Sequence, residues 1–450
     1  MSKNIWNDIE KTKTMEFSKG YIKYLDLSKT ERLCTKYSIK LAKEAGFIEY
    51  DKNIKLKEGD KVYLVNRDKS VIFAHIGKDD ILNGINIVAS HIDSPRLDLK
   101  PNPLYEDLEL AMVKTHYYGG IKKYQWTSIP LSLIGTVVKQ NGEKIDVSIG
   151  EGEDESVFTV TDLLPHLAAD QMKKTMSEAF TGEDLNALFG SLPSDNEEES
   201  VKDNIIKLIK EKYDFEEEDF VSAELMLVPA FKAKNVGLDS SFVGAYGQDD
   251  RVCAYTSLKA ILDLKNPDKT SVCYLADKEE IGSMGSTGTK SRFFETFIAH
   301  LIKSQKGDYN ELYLKDTFAN SKCLSCDVTV GYDPNYKSVC EANNSAYMGA
   351  GICICKYTGA RGKSGTSDAN AEFVAEVRKI FNKNNVKWQI AELGKVDQGG
   401  GGTVAQYIAN LNIETLDCGV PILSMHAPFE IASKADIYMG YLAYKAFMEN

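Results

Sequence analysis

No apolar run in this chain approaches the roughly 18 residues that a membrane-spanning helix needs. The opening stretch, Met1-Ser-Lys-Asn-Ile-Trp-Asn-Asp-Ile-Glu, has acids where a secretory signal needs an apolar core. There is no basic surplus. Lys and Arg number 54 against 66 Asp and Glu, a net charge of −12, and no basic stretch offers a face for nucleic acid. No repeat of fixed period occurs. Nine cysteines, an odd number, are scattered along the chain, which argues free thiols in a reducing compartment rather than a disulfide framework. These absences give the expectation of a cytoplasmic protein without a nucleic-acid or membrane partner. What is present is an ordinary globular composition, 43% hydrophobic and 27% charged over 450 residues. That excludes a disordered tail, a coiled coil and a collagen-like chain.

The hydrophobic pattern divides the chain. Leu33, Cys34, Tyr37, Leu41 and Ala45 fall near helical spacing, so 30–49 reads as an amphipathic helix. Residues 61–73 read as a strand pair. Ile85 to Ala89 is a short apolar run that stops abruptly at polar residues, as a buried strand opening into a site does. From Pro101 the texture changes to short alternating runs (131–138, 145–149, 157–160), broken by acidic stretches and a polar block at 194–199. After about Asn235, apolar runs at 271–275, 322–329, 352–357 and 415–423 alternate with helical patterns at 251–264 and 369–381. The expectation is an α/β core from residues 1–100 and 236–450, a mixed sheet layered by helices, with a β-rich domain at 101–235 inserted into it.

Five positions at strand ends or helix starts carry metal-ligand chemistry. Ser90-His91-Ile92-Asp93 follows a strand directly, and a carboxylate two residues from a ligating imidazole would fix its tautomer. Gly247-Gln248-Asp249-Asp250-Arg251 precedes a helix, where an acid also serves as a cap. Glu279 and Glu280 follow another buried strand, either as a solvated turn or as a general base beside a ligand. Asp327 ends a fourth run, and His426 follows a fifth. Each alone also reads as ordinary structure. Together, two imidazoles and the carboxylates of Asp249, Glu280 and Asp327 suit two divalent ions. One carboxylate would bridge, a hydroxide would fit between the ions, and Glu279 would be the base.

Competing motifs are incomplete. Gly399 to Gly402 lacks the rest of a phosphate loop, and a glycine run that lets a substrate backbone approach fits better. Cys323 and Cys326 form a lone Cys-x-x-Cys without a second pair. No Gly-x-Ser-x-Gly elbow exists. His75 and His300 sit in apolar surroundings and read as satisfied core histidines.

The order of these motifs resembles the aspartyl aminopeptidase family of dinuclear zinc exopeptidases. The matching strings are Ser90 to Arg96, Asp249-Asp250, Lys278 to Ser283, Asp327 with Asp333 to Tyr336, Lys395 to Asp397 before Gly399 to Thr403, and Ser424-Met425-His426. Thr115 to Gly120 and Leu164-Pro165-His166-Leu167 match within the insert. The resemblance implies a phosphorylase-like zinc exopeptidase core with an inserted dimerisation domain, which removes N-terminal residues from peptides. It implies one metal on His91, Asp249 and Asp327 and another on Asp249, Glu280 and His426, with Asp93 orienting His91 and Glu279 as general base. Zinc, cobalt and manganese all suit these ligands. It also implies that His166 reaches the site of a neighbouring subunit, in a homo-oligomer of dimers that closes as a dodecamer. Relatives that prefer acidic residues hold the side-chain carboxylate with a lysine after a strand and a tyrosine shortly beyond. Lys356 takes the first position, whereas 360–364 has no matching tyrosine, so acidic and neutral N-terminal residues both stay open. The same metal site also suits a deacylase or carboxypeptidase of the same clan. The family shape without catalysis would suit an assembly or cargo protein.

Overall fold

Apolar runs without alternation must be buried on both faces, and two of them form the middle of a nine-stranded sheet in this computed structural model. The structure describes residues 4–194, 196 and 200–450. Residues 1–3 of the opening stretch, and 195 and 197–199 of the polar block, lie outside the described residues. The strands are β1 (Ile48–Glu49), β2 (Lys61–Asn66), β3 (Ser70–His75), β4 (Asn86–His91), β5 (Ser271–Ala276), β6 (Lys322–Ser325), β7 (Ile352–Cys355), β8 (Trp388–Ile390) and β9 (Glu414–Gly419). Their order across the sheet is β1-β2-β3-β5-β4-β6-β9-β7-β8. β5, β4, β6 and β9 run parallel, and every residue of β4 and β5 is buried. A parallel centre needs helices on both faces. They are α1 (Lys11–Leu27), α2 (Glu31–Glu44), α3 (Gln248–Leu262), α4 (Phe293–Lys306), α5 (Glu311–Ala319), α6 (Ala371–Lys383), α7 (Ala405–Ala409) and α8 (Lys434–Met448).

Two runs that read as single strands each divide between two sheets. The run at 322–329 leaves the main sheet after Ser325 and re-forms at Thr329–Val330. The run at 415–423 breaks after Gly419 and resumes at Pro421–Leu423. Both resumed pieces join a smaller five-stranded sheet with Lys234–Val236, Phe242–Ala245 and Glu430–Ser433. Uniform hydrophobicity hides such a break, because both pieces are buried. The break at 326–328 is what turns Asp327 out of the ladder.

The chain separates into two compact units. One comprises Met1–Asp93, Ala233–Met425 and Phe429–Asn450; the other comprises Ser94–Lys232 with His426–Pro428. The second unit is built on a seven-stranded antiparallel sheet. In spatial order its strands are Lys144–Ile149, Leu131–Val138, Ala223–Pro229, Arg96–Asp107, Leu110–Tyr118, Ala187–Gly190 and Thr159–Val160. The change of texture at Pro101 falls inside a strand. Pro101 and Pro103 lie where the pairing register shifts between Leu99 and Leu104, an irregularity that tolerates a missing N–H. All nine cysteines are buried and free, in keeping with the thiol reading. No helix among the described residues is long and apolar enough to cross a membrane.

Candidate metal centre

Three strands of the parallel centre end at one level. Ala276 of β5 pairs with His91 of β4, and Ser325 of β6 pairs with Ala89 two residues earlier. The chain therefore leaves β4 at His91, β5 at Asp277 and β6 at Cys326, side by side at the carboxyl edge, where parallel sheets bind ligands. α3 starts beside them. Gly247 adopts a left-handed φ of 64°, and Asp249 and Asp250 depart from helical geometry before the helix settles.

This convergence brings the ligand atoms of His91, Asp249 and Asp327 within 4.8 Å of one another. His91 Nε2 lies 3.2 Å from Asp249 Oδ1, 3.7 Å from Asp327 Oδ1 and 4.0 Å from Glu279 Oε2. Two ligands about 2.0–2.1 Å from a tetrahedral ion stand about 3.4 Å apart, so the first two separations bracket that spacing. His91 Nδ1 donates to the backbone carbonyl of Asp93 at 3.0 Å, which makes Nε2 the acceptor nitrogen of the neutral ring. Nε2 is buried without a hydrogen-bond partner and faces carboxylate oxygens. Acceptors facing acceptors require a cation among them, a proton or a metal. The donor set thus fits a divalent ion.

The electrostatics agree. Burial opposes charge on His91, yet Asp249, Asp327 and Asp93 outweigh it and hold its pKa well above the ordinary histidine value. Burial, with Asp327, Asp93 and Asp249 nearby, pushes Glu279 up to about 8, against the opposing pull of His91. Burial and the neighbouring Asp327 likewise hold Asp250 well above the usual carboxylate range. Divalent charge would relieve this crowding.

Asp93 stands beside His91. Its carboxylate lies 3.4 Å from His91 Nδ1, which donates to the Asp93 backbone carbonyl. The two carboxylate oxygens also accept the N–H groups of Glu279 (3.1 Å) and Glu280 (3.2 Å). The Glu279–Ile281 turn is flanked by left-handed Lys278 and Gly282, and Asp93 ties it to the end of β4. His426 falls in the short segment counted with the second unit. There Nδ1 donates to the Gly120 carbonyl at 2.6 Å, which makes Nε2 its acceptor nitrogen. Lys356 is exposed just beyond Cys355 of β7, and His166 is exposed on the Pro165–Leu167 turn of the second unit.

Some participants were not foreseen. Asp250 Oδ2 accepts the His91 N–H at 3.3 Å, and Glu430 Oε2 accepts the Asp249 N–H at 3.0 Å. The inward acid of a short strand four residues after His426 was the available signal for Glu430. The glycine run is also used differently. A Cβ on Gly399 would lie 1.9 Å from the Leu393 carbonyl oxygen, and one on Gly400 2.4 Å from that of Gly359. What approaches these glycines is the chain's own backbone. His75 is a core residue, 2% exposed, but its Nδ1 has no hydrogen-bond partner.

The model of the aminopeptidase I zinc metalloprotease (M18) family matches residues 24–448. The chain belongs to this family. As an M18 aminopeptidase it is a hydrolase of peptide bonds. A probable M18 family aminopeptidase 1 of Clostridium acetobutylicum is 52% identical over 457 residues, covering 100% of this chain and 98% of that protein. The solved M18 aminopeptidase of Thermotoga maritima superimposes with a TM-score of 0.95 at 45% identity, over 100% of this chain and 99% of that one. Aminopeptidase I of Clostridium acetobutylicum gives 0.92 at 48% identity, with 100% and 99% covered. At 20% identity the S. cerevisiae mApe1 dodecamer shares the fold, with a TM-score of 0.79 over 96% of each chain.

Proposed function

We propose that this M18 aminopeptidase removes N-terminal residues from peptides with two divalent ions, zinc by the family's description, held by side chains at the carboxyl edge of the sheet. His91, Asp249 and Asp327 would hold one ion and Asp249, Glu280 and His426 the other, with Asp249 common to both sets. The observation that carries this reading is the convergence of His91, Asp249 and Asp327 around a histidine nitrogen that has only carboxylates to face. When bound, the ions supply a polarised scissile carbonyl and an acidified water. Glu279 would serve as general base toward the attacking water and as general acid toward the departing amine. Its carboxylate, 4.0 Å from His91 Nε2, supports that role. Asp93 keeps the Glu279–Glu280 turn in place.

Lys356, exposed beyond Cys355, is the side chain assigned here to an acidic N-terminal residue of the substrate. His166 stands on a turn whose Leu164 and Leu167 are also exposed, and it reaches into a neighbouring copy. The second unit mediates dimerisation, and the dimers assemble into a dodecamer, as in the yeast relative. Confinement inside such an assembly favours short, unfolded peptides.

The test is hydrolysis of aminoacyl chromogenic substrates (Asp, Glu, Leu, Met, Lys) by wild type and Glu279→Gln, with zinc, cobalt or manganese. Cleavage by wild type is expected, with kcat lower by about 10²–10⁴-fold in the variant at unchanged metal content. If no free-amine substrate is cleaved under any metal while an N-acylated one is, the protein is a deacylase and this reading fails.

A further inference from the structure

Gln248, directly before Asp249, and Arg251, two residues after it, are buried polar side chains, and neither is a candidate ligand. Gln248 Nε2 donates to the carbonyls of Val243 (3.1 Å) and Glu430 (2.6 Å), while its Oε1 accepts from Tyr21 Oη at 3.0 Å. Arg251 is 1% exposed. Its Nε donates to the Gly247 carbonyl at 2.8 Å, Nη1 to those of Leu25 (3.1 Å) and Ser28 (2.7 Å), and Nη2 to that of Tyr246. The guanidinium also lies 5.2 Å from the centroid of the Tyr246 ring. Among the described residues no carboxylate forms an ion pair with it.

A buried cation without a counter-ion is costly unless its donors are all used and dipoles offset its charge. Here four of the five guanidinium N–H groups donate to carbonyls, and helix-end dipoles offset the charge. Leu25 and Ser28 belong to the C-terminal end of α1, where unpaired carbonyls concentrate partial negative charge. The planar fork serves two carbonyls of α1 and two of the turn that leads into Asp249. A single ammonium offers three donors from one point and cannot span both sets. On the other side of the turn, Glu430 accepts the Asp249 N–H. The backbone carrying Asp249 is therefore gripped between α1 and the strand Glu430–Ser433.

We propose that Arg251 is a positioning residue for the metal centre: by fastening the Tyr246–Arg251 turn to the C-terminal end of α1, it sets the place of the bridging carboxylate of Asp249. This rests on the assignment of Asp249 as a ligand. Metal–ligand distances tolerate only about 0.2 Å, so a turn that slackens loses affinity even when the fold survives. α1 thereby becomes part of the centre, although it contributes no ligand to it.

The experiment uses the full-length protein and the variants Arg251→Lys, Tyr21→Phe and Asp249→Asn. Zinc affinity is measured by competition with a chromogenic chelator, alongside Tm of the metal-stripped and zinc-loaded forms, kcat and KM. Arg251→Lys is expected to weaken zinc binding about 10- to 100-fold, the range for partners behind a metal ligand, and to lower kcat with little change in KM. Tyr21→Phe, which removes one hydroxyl and keeps the ring, is expected to move zinc affinity the same way by a smaller factor. A lower Tm for Arg251→Lys with wild-type zinc affinity would make the arginine a purely structural element and overturn the proposal. Should Arg251→Lys not fold, Tyr21→Phe decides: affinity within about twofold of wild type overturns it, and a larger loss supports it. Asp249→Asn separates the two levels. If it keeps full zinc affinity, the ligand assignment fails. If it loses zinc while Arg251→Lys does not, only the positioning role fails.

Discussion

Replacing Asp93 by asparagine keeps size, shape and burial but removes one acceptor. Both carboxylate oxygens are in use, one on the Glu279 N–H at 3.1 Å and one on the Glu280 N–H at 3.2 Å. An amide has a single oxygen, so in either orientation one backbone N–H must face an NH₂ group. Losing a hydrogen bond to a charged acceptor costs about 1.5–3 kcal/mol, and leaving its buried donor without a partner adds about 1–3. Asp93 is 0% exposed, so water cannot make up the difference. The turn then escapes by shifting, and Glu279 leaves its place. A shift favoured by about 3 kcal/mol leaves well under one per cent of molecules in the productive arrangement. Asp93→Asn should therefore lower kcat by about 10²–10³-fold. The ion on His91 should stay, because the outer partner of His91 is the Asp93 carbonyl, which the substitution preserves, while the ion on Glu280 should bind more weakly, because Glu280 rides on the turn that shifts. The assay is steady-state hydrolysis of an aminoacyl chromogenic substrate, with metal per chain measured on the same preparation. Activity within about threefold of wild type would refute the clamp, since the clamp demands a far larger loss. Loss of both ions together with activity would make orienting His91 the main role of Asp93.

Two further outcomes follow from other parts of the catalytic unit. A Cβ on Gly419 would lie 1.6 Å from the carbonyl oxygen of Asp327, so Gly419→Ala must displace the segment that carries this ligand. Overpacking of this kind costs about 1–3 kcal/mol or more, and the purified variant should hold less zinc per chain than wild type; equal zinc would contradict the close approach. His75 is driven by burial, with Lys61 adding to it, from the ordinary 6.5 to about 4. Between those values the unfolded chain binds a proton that the folded chain refuses, so stability falls as pH drops from 6.5 towards 4 and is unaffected above 6.5. The loss at pH 4 is about 1–3 kcal/mol. Urea unfolding at pH 7 and pH 4.5 should show a smaller drop for His75→Gln than for wild type, and equal drops would refute it.

The strand ends were legible because buried parallel strands leave an uninterrupted apolar signature. Ile87 to Ala89 and Val272 to Ala276 announce where polar residues next appear, and His91, Glu279 and Glu280 stand at those points. Helices with one apolar stripe, such as α2 and α6, were legible for the same reason. α1 was not, because it buries Tyr21, Tyr24 and Leu25 among small polar residues such as Thr14 and Ser18 and shows no clean stripe. The departures from the main sheet at 326–328 and after Gly419 were hidden, since both sides of each break are apolar. The wider support of the site was out of reach for a different reason. Arg251 meets Leu25 and Ser28, and Gln248 meets Tyr21, across more than 220 positions of sequence. Such pairings have no local pattern. Read alone, these residues look like the polar start of a helix.

The order of strands in the main sheet has a consequence for how the protein is made. β3 and β4 follow one another in sequence but do not touch as a hairpin; β5 lies between them, antiparallel to one and parallel to the other. Roughly 180 residues separate the end of β4 from the start of β5, which at about 5–20 residues per second leaves the ribosome some 10–40 s with that slot unfilled. Throughout that interval two apolar strand edges wait for a partner that has not been synthesised, while the stretch from 94 to 232, which holds all of the intervening unit but 426–428, is free to fold first. The nascent chain is most exposed to mispairing in this window. A slot-filling strand from another nascent copy would give a domain-swapped or aggregated product, and slower translation through 94–270 would lengthen the risk.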